Sequence, residues 1–103
     1  MAKIIITNFA KQQLQQIYNY ISWKASDTIA LKEIERIIKQ IEYLEITPKI
    51  GRIVEELKIL KLHHRQLVVG NYKIIYRIET EIIYITDVFD CRQHPDKMQE
   101  WNQ

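Results

Sequence analysis

At Gly51 the chain changes its hydrophobic period, and no other feature constrains its architecture as strongly. Before that point apolar residues recur every three or four positions. Leu14, Ile17, Tyr18 and Ile21 form one stripe, and Ala30, Ile34, Ile37, Ile38, Ile41 and Leu44 form a second. Such spacing places each set on one face of a helix. Lys32, Glu33, Glu35, Arg36, Lys39 and Glu42 lie opposite the second stripe, giving the cleanest amphipathic pattern in the chain. After Gly51 the texture becomes β-branched and aromatic with a two-residue alternation, as strands require. A helical half followed by a strand half predicts an α+β fold with a helical hairpin on one face of a mainly antiparallel sheet.

Local signals set the boundaries. Lys3 to Thr7 reads as an opening strand, and Asn8 as the cap of a helix running from Phe9 to Lys24. Ser26 or Asp27 caps the second helix, and the short connection between the two implies antiparallel packing. Thr47-Pro48 stops that helix, because a residue before proline is pushed out of the α region. Strands are expected over Arg52 to Glu56, Leu62 to Val69, Tyr72 to Glu79 and Glu81 to Asp90. Gly70-Asn71 marks a tight hairpin in which both residues tolerate positive φ, and Thr80 lies in another. A short helical tail is expected from Asp96 to Trp101. The order is β-α-α followed by a meander, in a single domain covering residues 1–103.

Composition adds mainly exclusions. With 103 residues, 47% hydrophobic and 27% charged, the chain can bury one modest core. The net charge of +2 is too small to argue for nucleic acid. Its distribution says more. No acid falls between Glu56 and Glu79, an interval holding Lys58, Lys61, Arg65, Lys73 and Arg77. Those cations either create a local positive field or form a solvated strand face. The single cysteine, Cys91, permits no internal disulfide and fits a cytoplasmic protein. The opening apolar run is too short for a signal peptide, and no segment reaches the ~20 apolar residues of a membrane span. His63 and His64 are adjacent and point to opposite faces of a strand, so they do not share a metal, and no cofactor motif is present. At their helical spacing Tyr18, Tyr20 and Trp23 read as packing residues rather than base-stacking ones.

Four fragments in order carry a family likeness: Pro48-Lys49-Ile50-Gly51-Arg52, Arg65 to Val69 before Gly70, Tyr72-Lys73-Ile74-Ile75-Tyr76, and Arg92-Gln93-His94-Pro95-Asp96. Together they resemble the RelE/ParE superfamily of type II toxin–antitoxin toxins, and its ParE-like branch in particular. The resemblance implies a growth-arresting toxin neutralised by a cognate antitoxin protein. Two actions live on this fold. ParE-like members poison DNA gyrase, whereas RelE-like members are mRNA interferases that cleave message on the ribosome. The site must decide between them.

Metal-independent RNA cleavage needs a titrating group beside the ribose hydroxyl and cations around the phosphate. Arg65, Arg92 and His94 are the candidates for that endoribonuclease chemistry, with Lys73 and His64 beside them. The end of the chain departs from the RelE pattern, because Met98 stands where such an enzyme places its tyrosine. The gyrase reading requires no catalytic residue. Arg52 serves equally well as a phosphate contact or as a partner of Glu55 or Glu56, and Arg77 as a partner of Glu79 or Glu81. A DNA-binding repressor fits poorly, since no helix carries a basic face. If the helices cover one sheet face, Ile75, Ile83, Ile85 and Phe89 are expected on the open one. There an acidic antitoxin tail would meet Arg65, Lys73, Arg77 and Arg92, unless the turns around Met98 and Trp101 fold back over the patch.

Overall fold

A computed structural model describes residues 3–55 and 63–92. Within them, β1 (Lys3–Ile6) leads into helices α1 (Asn8–Lys24) and α2 (Asp27–Tyr43). The strands β2 (Arg52–Ile53), β3 (His64–Val69), β4 (Tyr72–Glu79) and β5 (Ile82–Asp90) follow. They form one sheet in the order β1-β5-β4-β3-β2, with β1 parallel to β5 and every other pair antiparallel. This is the α+β arrangement that the change of period predicts.

The helices start where a side chain can accept an orphan N–H. Thr7, not Asn8, caps α1: its backbone is still extended and its Oγ1 accepts from Ala10 N–H at 3.2 Å, while Asn8 is already helical. Ser26 caps α2, accepting from Ile29 N–H at 3.1 Å. Helix α2 ends at Tyr43, before the proline signal. From Leu44 to Ile46 the bonds tighten to carbonyls three residues back, satisfying end groups over a short descent toward Pro48.

The core lies between the helical hairpin and one sheet face. Ala10, Leu14 and Ile17 of α1, with Ile37, Ile41 and Leu44, pack on Tyr72, Ile74, Tyr76, Ile83, Ile85 and Val88. The expected exposed patch of Ile75, Ile83, Ile85 and Phe89 does not exist. Ile83 and Ile85 stand opposite Ile78 and Tyr76 in the ladder, and residues directly opposite share a face, so they point at the helices. Ile75 and Phe89 are also buried, at 0% and 3% exposure. A bulge contributes to this phase. Tyr76 pairs with Ile85 but Ile75 with Asp87, leaving Thr86 as the extra residue, whose Oγ1 donates to the Ile75 carbonyl at 3.2 Å.

Both hairpins take a positive φ at the first central residue only, 60° at Gly70 and 57° at Thr80. That is the backbone of a type II′ turn, in which Asn71 keeps a negative φ although it tolerates a positive one.

Candidate functional site

The loop before β2 is held from beneath by a buried phenol. Tyr76, fully buried in β4, donates its hydroxyl proton to the Pro48 carbonyl at 2.8 Å and accepts from the Gly51 N–H at 2.8 Å. Burial pushes the phenol above its ordinary range, so it keeps that proton at neutral pH. Gly51 is required by this approach: a Cβ there would lie 2.5 Å from the Tyr76 hydroxyl and 2.9 Å from the Gln66 carbonyl. Arg65 closes the lock from β3, donating from Nη1 to the Gly51 carbonyl at 2.8 Å and the Lys49 carbonyl at 3.4 Å. The Pro–Gly–Arg element of the sequence is therefore a clamped loop. Arg65 is one of its clamps.

Arg77 lies on the other face of β4. Its guanidinium stacks 4.5 Å above the Tyr84 ring and pairs with Glu79 at 3.1 Å, the nearer of its two expected carboxylate partners. Across the ladder from it sits His64, buried while His63 is exposed, as opposite-facing neighbours should be. Burial, then the Arg77 charge, holds the His64 pKa below its ordinary value, with Glu79 opposing weakly. Lys73, half-buried, stands between Val68 and Phe89 in the register.

Arg92 belongs to a different corner. Its backbone N–H and its Nε both donate to Asp90 Oδ1, at 2.8 and 3.2 Å, and its Nη2 to Oδ2 at 3.0 Å. These contacts raise the Arg92 pKa further and fix an otherwise exposed guanidinium against a buried carboxylate. Tyr72 lines the cleft beside it, together with Glu33 and Arg36 of α2. Burial and then the Asp90 charge raise the Tyr72 pKa. Cys91 is half-buried and free, its N–H spent on the Asn71 carbonyl at 2.8 Å.

The register separates the cations proposed for cleavage. Arg65 is level with Tyr76, and Asp90 with Tyr72. Four residues along a strand are about 13 Å, and two strand spacings add about 10 Å across it. Arg65 and Arg92 therefore do not meet over one phosphate. His94, Met98 and the expected tail to Trp101 lie outside the described residues, as do Glu56, Lys58 and Lys61. Among the described residues Arg52 makes no ion pair, and no three metal-ligating side chains cluster. None of their helices is long and apolar enough to cross a membrane.

Two features escape sequence reasoning. The Tyr76 hydroxyl acts on residues 25 and 28 positions away, with no local signal beyond the tyrosine itself. The aromatic end of α1 is a surface: Trp23 is 81% exposed and Tyr20 37%, contrary to the packing role expected for them. Trp23 lies off the buried stripe of Ala10, Leu14 and Ile17, which its position two residues past Ile21 already implies.

A helical hairpin thus lies on a five-stranded sheet, an α+β module in which Arg65, Arg77 and Arg92 are each engaged in intramolecular contacts. The sequence profile of the ParE toxin of the type II toxin–antitoxin system parDE matches residues 4–95, and the chain belongs to that family. A toxin–antitoxin ParDE structure from P. aeruginosa has the same fold, with a TM-score of 0.72 and 21% identity over 87% of this chain and 96% of that one. No curated protein matches the chain.

Proposed function

We propose that this ParE-family toxin arrests growth by binding DNA gyrase, and that direct binding of its cognate antitoxin neutralises it. The separation of Arg65 from Arg92 carries this reading. A nuclease must gather its cations around one phosphate, whereas here one guanidinium clamps the Lys49–Gly51 backbone and the other is held by Asp90. A toxin that works by surface contact has no such requirement. Arginines locked in one orientation suit protein recognition, because little side-chain entropy is left to lose on binding.

The test is the order in which DNA and protein synthesis stop after the chain is induced without antitoxin. DNA synthesis failing first, together with inhibition of purified gyrase supercoiling, is the expected result. Early translational arrest with cleaved message would overturn the gyrase reading and favour the interferase one.

A further inference from the structure

Aromatic and cationic side chains gather where α1 ends. Tyr20 and Trp23 lie one turn apart, their rings tilted at 49° with centroids 6.2 Å apart. Lys24 joins them, its Nζ donating to the Tyr20 hydroxyl at 3.3 Å and lying 5.7 Å from the centre of that ring. Trp23 nevertheless stands almost wholly in solvent, and Ile29 at the start of α2 is exposed as well. Single exposed apolar residues are ordinary, but several together beside a recess mark a contact surface.

The recess is present. A cavity of about 390 Å³ lies between the end of α1, at Tyr20, Ile21 and Lys24, and the end of β5, at Asp90 and Arg92. A second, of about 350 Å³, shares Ile21 and Arg92 with it and runs on to Ile29, Arg36 and Tyr72. With two walls in common they form one groove around the hairpin turn. Tryptophan, tyrosine and arginine beside such a groove are the residue types that dominate binding energy once a partner excludes water. Arg92 is already oriented, because Asp90 holds its Nε and Nη2 and leaves Nη1 for an incoming acceptor.

We propose that this corner is where the toxin grips its target, gyrase, by accepting an acidic segment whose leading apolar side chain enters the groove beside Trp23. This rests on the gyrase reading above and gives it a place on the fold. Charge selects the occupant. The groove's two carboxylates are each matched by an arginine, Glu33 by Arg36 at 2.8 Å and Asp90 by Arg92 at 3.0 Å. Lys24 makes no ion pair among the described residues, so the groove is left with a net positive charge. An incoming carboxylate finds Lys24 and the free side of Arg92. A nucleic-acid strand would bring repeated phosphates against Glu33 and Asp90, which line the same groove.

Titration of the full chain, freed of antitoxin, onto purified gyrase tests the placement. Trp23→Ala changes only an exposed side chain, so it melts like the parent and binds antitoxin with parental affinity. It binds gyrase roughly 30-fold more weakly and inhibits supercoiling correspondingly less. Lys24→Gln weakens gyrase binding by roughly threefold, and its deficit shrinks at high salt. Parental gyrase binding by Trp23→Ala overturns the placement and leaves the gyrase reading intact. A parent chain that does not bind gyrase at all overturns both. Loss of antitoxin affinity in Trp23→Ala would assign the corner to the antitoxin and overturn the proposal. So would a Trp23 already shielded from acrylamide in the free Trp101→Phe chain, since the groove would then be covered by the chain's own tail or by a second copy.

Discussion

Replacing Tyr76 by phenylalanine removes one oxygen and keeps the ring. That oxygen is both acceptor for Gly51 N–H and donor to the Pro48 carbonyl, each at 2.8 Å. Gly51 is buried, so its N–H loses its partner without gaining water, at a cost of about 1–3 kcal/mol. Pro48 is half-buried, and its carbonyl recovers part of the loss by hydration, at about 1 kcal/mol. The expected destabilisation is therefore about 2–4 kcal/mol, which lowers the urea midpoint by roughly 1–2 M with an unchanged slope. Because Gly51→Ala breaks the same contact by driving a methyl into the hydroxyl, the two changes should not add. The double variant should be about 1 kcal/mol or more better than the sum of the singles. The Cε1 atom of Tyr76, 2.7 Å from that methyl, keeps the rescue partial. Equilibrium urea unfolding of the four proteins in the cycle measures this. A Tyr76→Phe protein within about 0.5 kcal/mol of the parent, or strict additivity, would refute the lock.

Thr80 carries a φ of 57°, strained for a β-branched residue, so Thr80→Gly should stabilise by about 1 kcal/mol in thermal unfolding despite adding a glycine. The folded-state pKa of His64 is depressed by burial and by Arg77, so the unfolded chain takes up that proton first on acidification. Its contribution is intact above about pH 6.5, the unfolded value, and is lost as the pH falls through the folded one. Melting temperature should decline across that window, and less steeply for His64→Gln. Arg77→Lys keeps the charge but loses the planar stack on Tyr84 and the directed bond to Glu79, at a cost of about 0.5–1 kcal/mol by urea unfolding.

What the sequence made legible was whatever depends on period. The helical stripes, the order of the strands and the bounds of β4 follow from spacings of a few residues, and each lies close to where spacing places it. Errors arise where one residue's context decides. Thr7 rather than Asn8 caps α1 because the chain is still extended there, which composition does not encode. One extra residue, Thr86, changes the phase of β5, and a face assigned by simple alternation cannot anticipate a bulge. The tyrosine lock was hidden because its partners lie far apart in sequence. Its two halves, Pro48 to Arg52 and Tyr72 to Tyr76, were both visible as fragments. Their contact was not.

The same distinction bears on the cations. In the sequence, Arg65, Lys73, Arg77 and Arg92 look alike, a one-sign set awaiting an anion. In the fold, Arg65 is spent on backbone carbonyls, Arg77 on a carboxylate and a ring, and Arg92 on a buried carboxylate. A phosphate approaching any of these three must compete with a contact already made, whereas a protein surface can be complementary to each guanidinium in place. Lys73 differs, having no ion-pair partner among the described residues. If partner binding is electrostatically steered over this face, Lys73 should influence the association rate more than the arginines do. Lys73→Ala should then slow association and weaken its salt dependence, while dissociation changes little. Stopped-flow binding to antitoxin at two ionic strengths separates the terms. An effect confined to dissociation would show that the lysine is buried in the contact rather than guiding the approach.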